Sequence, residues 1–297
     1  MGRLGDRGEM EAFVRSVDLG GFSAAARELK LTPSALSKLV SRLERTLRTR
    51  LLYRSTRRLA PTPEGELFLV HCRKILAQIE EAEGQIGLAR DHPRGRLRIH
   101  VGAGFALHQL APALPRFVER YPDIQVELIV EDRQLDFIKE GLDLAVRPGP
   151  FSDSTLVARK VCEFRRVVCA APEYLARHGF PRVPEDLAQH KCITFADAPA
   201  LAKWSFESAS GASVVDVSSA IGANNAECVL QFALLGIGIA CLNDFIVSDC
   251  IRTGRLIRIL EDSQTRESLS MMALYSRARQ GLPRIAAMLD FLKDVRS

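Results

Sequence analysis

Residues 67–90 have the most regular apolar spacing in the chain and separate two dissimilar regions. Apolar side chains recur there at alternating intervals of four and three residues, with charged residues beside them. The spacing predicts one long helix with a narrow apolar seam, which favours pairing with a second helix over packing on its own domain. The sequence His92-Pro93-Arg94-Gly95 then ends the helix. The seam positions that we assign to dimerisation are Phe68, Cys72, Ile75, Ile79, Ala82 and Ile86.

The net positive charge of the chain is concentrated in residues 1–90, which end with this helix. Residues 1–90 hold 16 Lys and Arg against 11 Asp and Glu, whereas residues 91–297 hold 25 of each. Within residues 27–58 there are ten basic and two acidic residues. A short basic module beside a neutral remainder is the charge distribution that a surface binding nucleic-acid phosphates requires.

Residues 10–66 are rich in short amphipathic segments, which predict a helix-turn-helix. The second helix of that motif begins with favourable residues, since Thr32 is a good N-cap and Pro33 suits the first helical position. One face of this helix is apolar, and the opposite face has a shape and chemistry that fit a major groove. We expect Lys38 and Arg42 on that face to be replaceable without loss of the fold. The polar face consists of Ser34, Ser37, Lys38, Ser41 and Arg42.

Two short extended runs flank a basic tip in residues 48–59, after the helix-turn-helix. Such a segment predicts a β-wing that reaches phosphates or the adjacent minor groove. The N-terminal region is therefore predicted to be a winged helix-turn-helix spanning residues 10–66, followed by the linker helix and hinge at residues 67–94.

Residues 95–297 alternate between strand and helix patterns, which predicts an α/β domain with a parallel, doubly wound sheet. A strand at 97–101, a strand at 124–128, a helix at about 133–141 and a buried strand at 142–146 follow in order. The pattern changes near residue 165, which predicts two lobes with a ligand cleft between them. Lobe I would comprise about 95–165 and 266–297, and lobe II about 166–265.

Several motifs along the chain resemble those of the LysR-type transcriptional regulators. The resemblance covers nearly the whole chain and is most specific in the N-terminal region. It is carried by Gly21-Phe22-Ser23-Ala24-Ala25-Ala26-Arg27, Arg42-Leu43-Glu44, Leu51-Leu52-Tyr53-Arg54-Ser55-Thr56-Arg57, Thr62-Pro63-Glu64-Gly65, Asp143-Leu144-Ala145-Val146-Arg147 and Ala223-Asn224-Asn225.

The resemblance implies an architecture and a set of partners. It implies a winged helix-turn-helix, a linker-helix dimer and a two-lobed, periplasmic-binding-protein-like effector domain. The implied partners are double-stranded DNA, a small-molecule effector, RNA polymerase and further copies of the chain, as dimers that pair into tetramers. The family's base-reading and wing positions map onto Thr32, Pro33, Ser34, Ser37, Lys38, Arg54, Arg57 and Arg58.

The chain departs from the family's pattern at two places. Pro33-Ser34 replaces the usual Gln-Pro, so the operator bases of relatives do not carry over. Arg48 replaces a turn glycine, which predicts a different turn into the wing.

The implied effector cleft begins at the loop after the first strand of the domain. This loop offers no hydroxyl, but its backbone N–H groups precede a helix and suit a carboxylate. The positions that the resemblance assigns to effector binding are Gly102, Ala103, Gly104, Phe105, Arg147, Thr194, Phe195 and Asn224.

Other functions fit the sequence less well. The seven cysteines lack a C-x-x-C pair, so neither a metal site nor a cofactor is expected, although a thiol-based redox sensor is an alternative. A solute-binding protein would need a signal peptide, and the charged N-terminus predicts none. An enzyme is a further alternative, but the sequence contains neither an H-E-x-x-H motif nor a P-loop, and we do not expect enzymatic activity. No apolar run is long enough to span a bilayer, and we expect a cytoplasmic protein.

Overall fold

The structure is a computed structural model that describes residues 5–54, 59–85, 93–137, 139–151, 156–208, 211–265 and 268–295. By internal contacts the chain divides into two compact units. The first comprises Met1–Asp91 with Asp136–Gly141, and the second comprises His92–Leu135 with Leu142–Ser297.

The N-terminal unit is a winged helix-turn-helix, as the sequence predicts. Its buried core includes Phe13, Leu36, Val40 and Leu43, so α3 packs the apolar face that its sequence spacing indicates. The two short strands pair antiparallel and form the wing. The elements are α1 (Arg7–Asp18), α2 (Phe22–Glu28), α3 (Pro33–Leu47), β1 (Leu52–Arg54), β2 (Leu59–Pro61) and α4 (Pro63–Gln85).

Helix α4 begins at Pro63, ahead of the predicted residue 67, because the Thr62 hydroxyl accepts a hydrogen bond from the Gly65 N–H at 2.9 Å. Its first turns pack on the core of its own unit. Cys72 is fully buried there, and Phe68 and Ile75 pack against the same cluster. Farther along the predicted seam, Ile79 is half-buried and Ala82 is exposed, while Ile86 lies outside the described residues.

Lobe I of the C-terminal unit is built on a five-stranded sheet in the order β4-β3-β5-β14-β6. Helices cover the sheet, and a π-helical segment, Ala106–Leu110, joins α5 to α6. The elements are β3 (Gly95–Val101), α5 (Ala103–Phe105), α6 (Ala111–Arg120), β4 (Ile124–Val130), β5 (Leu144–Pro148), β6 (Leu156–Phe164), β14 (Leu269–Ser276) and α10 (Pro283–Lys293).

Lobe II is built on a second five-stranded sheet in the order β11-β8-β12-β7-β13, with a separate hairpin of β9 and β10. Short 3₁₀ helices occur at Pro184–Gln189, Pro199–Ala202 and Glu261–Ser263, and one at Arg277–Arg279 follows β14 in lobe I. The elements are β7 (Arg166–Ala170), α7 (Pro172–His178), β8 (Cys192–Phe195), β9 (Lys203–Ser208), β10 (Gly211–Asp216), β11 (Ser219–Ala223), α8 (Ala226–Leu234), β12 (Ile239–Asn243), α9 (Asp244–Arg252) and β13 (Ile257–Arg258).

The prediction of a parallel sheet is wrong for part of each sheet, because both sheets mix parallel and antiparallel pairs. In lobe I, β14 runs antiparallel to both β5 and β6, and in lobe II, β7 runs antiparallel to both β12 and β13. The reason is the path of the chain. It leaves lobe I through β6 and returns through β14, so these two neighbouring strands must point in opposite directions.

The helix predicted at about 133–141 is also absent from the described part of that segment, which consists of bends and turns. The segment is limited to a single turn. The Asp136 carboxylate accepts from the Lys139 N–H at 2.8 Å and caps this turn, in which the Glu140 N–H donates to the Asp136 carbonyl at 3.0 Å. Gly141, with φ 63°, then ends the turn in the left-handed conformation.

Candidate functional site

The start of α3 forms a small polar surface on the N-terminal unit. The Thr32 hydroxyl accepts a hydrogen bond from the Ala35 N–H at 3.2 Å and lies 3.2 Å from the Ser34 hydroxyl. This cap fixes the first turn of the helix and holds both hydroxyls at its end. Thr32, Pro33, Ser34 and Lys38 are exposed, and Ser37 is half-buried. The arrangement suits entry of this helix end into a DNA groove.

Arg42 lies farther along α3 and contacts acidic residues of the same unit. Its Nε donates to a carboxylate oxygen of Glu9, and its Nη2 donates to Asp6 at 2.7 Å. These contacts raise the pKa of the Arg42 guanidinium, chiefly through its hydrogen bond to Glu9. Glu9 is buried and also closes the capping box of α1, so Arg42 joins α3 to α1. These contacts were not foreseen from the sequence, and they lead us to expect that replacing Arg42 destabilises the N-terminal unit.

Glu44 and Arg48 shape the connection from α3 to the wing. One carboxylate oxygen of Glu44 accepts from the N–H groups of Leu51 and Leu52, at 2.9 and 3.2 Å. Arg48 ends α3 with φ 53° and ψ 32°, the left-handed conformation that favours glycine. The turn thus keeps the conformation that a glycine would allow, despite the side chain. The wing tip, with Arg57 and Arg58, lies outside the described residues, as does the side chain of Arg54.

A cleft of about 650 Å³ lies between the two lobes of the C-terminal unit. Its walls are mainly apolar, and polar groups from both lobes converge on it. A mainly apolar cavity with a few convergent polar groups is the usual form of a small-molecule site. Residues that line it include Phe105, Arg147, Phe164, Arg166, Phe195 and Asn224.

Most, but not all, of the positions assigned to effector binding line this cleft. Gly102, Gly104, Phe105, Arg147, Phe195 and Asn224 do so. Thr194 is 6% exposed, and its hydroxyl donates to Ser219 within lobe II at 2.6 Å. Ala103 is 3% exposed, and its N–H donates to Asp132. Neither Thr194 nor Ala103 therefore presents its side chain to the cleft.

His100 and Arg147 are buried or partly buried basic residues of the cleft wall on lobe I, which Arg133 also lines. His100 is 2% exposed, and neither ring nitrogen makes a hydrogen bond of normal geometry to the described residues. Burial lowers the pKa of His100, and the nearby positive charge of Arg147 lowers it further, against the opposing effect of Glu131. Burial also lowers the pKa of Arg147. An anionic group bound beside them would favour the charged form of both side chains.

Sequence reasoning missed several polar residues that line the cleft, among them His100 and Asp132. His100 lies near the carboxyl end of β3, and Asp132 follows the carboxyl end of β4, the strand paired parallel to it. In open α/β sheets, ligands bind outside the carboxyl ends of the strands. That rule could have identified both residues, since each is a polar residue at or just after the carboxyl end of a strand that the sequence predicts.

The buried thiols have the properties of structural cysteines. Burial raises the pKa of Cys72 and of Cys192 to about 12, and it also raises the pKa of Cys169, Cys241 and Cys250. A thiol that stays protonated is a poor nucleophile toward oxidants. Cys228 on α8 is exposed, so a redox-sensing interpretation would depend on that residue and on half-buried Cys162.

Two further observations on the described residues concern membrane spans and metal sites. None of the described helices combines the length and the apolarity that crossing a membrane requires. Over the same residues, no three His, Cys, Asp or Glu side chains converge in a way that could hold a metal ion.

Comparison with known proteins identifies relatives over almost the whole chain. Residues 8–66 match the family model for the bacterial regulatory helix-turn-helix protein of the lysR family, and residues 90–297 match the model for the LysR substrate binding domain. The HTH-type transcriptional regulator CrgA of Neisseria meningitidis serogroup C (strain 8013) is 36% identical over 286 residues, which cover 96% of this chain and 95% of CrgA.

Solved structures give the same result. The structure of CrgA, a LysR-type transcriptional regulator from Neisseria meningitidis, matches with a TM-score of 0.66 at 35% identity, covering 96% of this chain and 97% of that one. The full-length structure of the Vibrio cholerae virulence activator AphB matches with a TM-score of 0.62 at 25% identity, again covering 96% of this chain and 97% of the other.

Proposed function

The chain belongs to the LysR family of transcriptional regulators, and from this we propose which surfaces read the operator and hold the effector. The operator would be read by the exposed start of α3, through Thr32, Pro33, Ser34, Ser37 and Lys38. Arg54, Arg57 and Arg58 of the wing would contact phosphates. This division follows from the chemistry of DNA, in which base edges give specificity and phosphates give affinity.

Arg42 has a different role in this proposal. Because its guanidinium is engaged by Glu9 and Asp6, we assign it to the packing of α3 on α1 in the free protein. Any contact that it makes with a phosphate would have to compete with two carboxylates.

The effector would bind in the interlobe cleft, and the geometry of that cleft is the observation that carries this proposal. Apolar walls suit the body of a small metabolite, and Arg147 with buried His100 suits an acidic group on it. We therefore propose a small organic acid as the effector. Such a ligand regulates only if it binds one arrangement of the protein more tightly than another.

A variant that narrows the cleft tests the effector proposal. Val130 lines the cleft and is 44% exposed, so Val130→Trp adds bulk at the cleft wall without overfilling the core. Val214, 62% exposed on the β9–β10 hairpin, supplies the matched control Val214→Trp. A library of small carboxylic acids and their neutral amides is screened by thermal shift against the wild type and both variants, and hits are then tested by DNA footprinting.

The expected result is a hit among the acids that stabilises the wild type and Val214→Trp but not Val130→Trp, and that changes the footprint. Equal stabilisation of all three proteins would place the ligand outside the cleft. Hits confined to the amides would contradict the acidic effector and leave the cleft as the site.

We also propose that the chain acts as a dimer, joined through the part of α4 around Ile79 and Ala82 that does not pack on the core of its own unit. These dimers would pair into tetramers, and the tetramers would engage RNA polymerase. Half-buried Ile79 and exposed Ala82 support this assignment, because they leave apolar surface on the predicted seam. Two copies of α3 on one particle would address two half-sites of an operator.

A further inference from the structure

The Asp132 carboxylate joins the two lobes of the C-terminal unit. One oxygen accepts a hydrogen bond from the Ala103 N–H in lobe I at 2.9 Å. The other oxygen accepts from the Ala226 N–H in lobe II, also at 2.9 Å. Asp132 itself follows β4 in lobe I, so the second bond crosses between the lobes. A single carboxylate is thus bound bidentately by backbone amides from two parts of the fold.

The glycines of the loop after β3 make room for this arrangement. A Cβ atom at Gly102 would lie 2.8 Å from the bonded oxygen of Asp132, so any other residue there would push the carboxylate away. A Cβ atom at Gly104 would lie 2.4 Å from the side chain of Ile246 on α9 in lobe II. Gly104 therefore allows the close approach of the lobes, and Gly102 makes room for the Asp132 carboxylate within lobe I. This packing accounts for the glycines in the loop from Gly102 to Phe105, which the sequence analysis interpreted as part of an effector site.

The amides at the start of α8 are fully used by the chain itself. Ala226 donates to Asp132, and both Glu227 and Cys228 donate to the side chain of Asn225. The Glu227 carboxylate also lies 2.9 Å from the His108 ring in lobe I. An acidic ligand would find no unused backbone donor among these amides.

We propose that Asp132 is an internal ligand of a carboxylate-binding site formed by the Ala103 and Ala226 amides, and that it latches the two lobes together before any effector binds. The latch excludes an external carboxylate from this corner of the cleft. It thereby directs the acidic group of an effector toward His100 and Arg147. That last consequence rests on the proposed function, whereas the latch itself rests on the hydrogen bonds alone.

Chemical rescue tests the latch directly. Asp132→Ala removes the carboxylate and leaves the two amides in place, so a small carboxylate can occupy the site. We expect the variant to lower the unfolding midpoint of the C-terminal unit by roughly 2–6 °C in the full-length protein. Sodium formate should restore a large part of that loss, and sodium chloride at equal ionic strength should not. The same formate should leave the wild type unchanged, since its site is filled.

Three further variants separate the latch from simpler effects. Asp132→Asn keeps the size of the side chain but offers one acceptor oxygen, so we expect partial destabilisation and no rescue. Gly102→Ala keeps Asp132 but crowds the site, so it should destabilise without responding to formate. Asp197→Ala removes another carboxylate that lines the same cleft and controls for a general loss of negative charge. We expect it to show no response to formate.

Several outcomes would overturn the latch. They are an unchanged midpoint in Asp132→Ala, a rescue that chloride reproduces, or a formate response of equal size in the wild type. None of these measurements requires DNA or an effector, so their failure leaves the proposed function standing. Conversely, failure of every acid in the cleft screen would refute the acidic effector without affecting the rescue result.

Discussion

Arg42 on α3 and Glu9 on α1 form an ion pair in which the Glu9 side chain is 4% exposed and the Arg42 side chain is 55% exposed. The Glu9 carboxylate, which pairs with the Arg42 guanidinium, is therefore in the protein interior. Removing the cation leaves a buried carboxylate with fewer partners, and that change costs more than the loss of an exposed pair.

The first prediction concerns this pair. Arg42→Ala should lower the unfolding midpoint of the N-terminal unit, because Glu9 and Asp6 lose their shared partner. Arg45→Ala is the matched control, since Arg45 is exposed on the same helix. Thermal unfolding of the two variants beside the wild type provides the measurement. Identical midpoints for Arg42→Ala and the wild type would show that the pair has no structural role.

The second prediction concerns Lys38, which is exposed at the polar face of α3. Lys38→Ala should leave the unfolding midpoint unchanged and weaken operator binding by about 1–3 kcal/mol, with relaxed discrimination at one base pair. Arg57→Ala or Arg58→Ala should instead weaken all sequences evenly and flatten the salt dependence. Titrations of operator and scrambled DNA at fixed salt distinguish the two behaviours. A Lys38→Ala loss that is equal on both DNAs would reassign Lys38 to phosphate contact.

The third prediction concerns assembly. Ile79→Asp should dissociate the dimer, because it places a charge in an apolar seam, and DNA affinity should fall as avidity is lost. Ile79 is preferable to Ile75, which packs against the core of its own unit. Gln78→Asp introduces the same charge at an exposed position of α4 and should leave the assembly intact. Light scattering over a range of protein concentrations tests both variants.

The features that the sequence predicts well are those fixed by neighbouring residues. Thr32 and Pro33 define the start of α3 because a cap and a first helical turn involve only adjacent positions. The spacing from Phe68 to Ala82 likewise predicts the helix. It does not distinguish a partner helix from the helix's own domain, because both bury the same stripe. The structure shows that Cys72 is buried in its own unit, which periodicity cannot reveal.

The features that the sequence misses depend on contacts between distant residues. Strand direction in the mixed sheets follows from where the chain crosses between the lobes. The local hydrophobic pattern of the sequence does not show where those crossings occur. The loop from Gly102 to Phe105 shows the same limit. Its glycines and helix start suggest an anion-binding site. The carboxylate that binds there belongs to Asp132, 29 residues from Ala103, and Ala226 contributes the second amide.

The last prediction concerns pH and His100. Burial holds the pKa of this side chain below its ordinary value of 6.5, with a further contribution from the Arg147 charge. In the unfolded chain His100 takes up its proton as the pH falls through about 6.5, whereas in the folded protein it stays neutral to lower pH. The unfolded state then binds more protons, so stability falls as the pH decreases below about 6.5 and is unaffected above it.

His100→Gln should remove this contribution and reduce the pH dependence of unfolding by up to one proton, or about 1.4 kcal/mol per pH unit. His190→Gln is the comparison, because burial and then the His178 charge lower the pKa of His190 and give it an effect of the same sign. Denaturant unfolding of the wild type and both variants from pH 7.5 to 5 would separate the two histidines. An unchanged slope in His100→Gln would mean that His100 has the same pKa in the folded and the unfolded protein. An acidic effector bound beside it should raise its pKa, so effector affinity should increase as the pH is lowered toward 6.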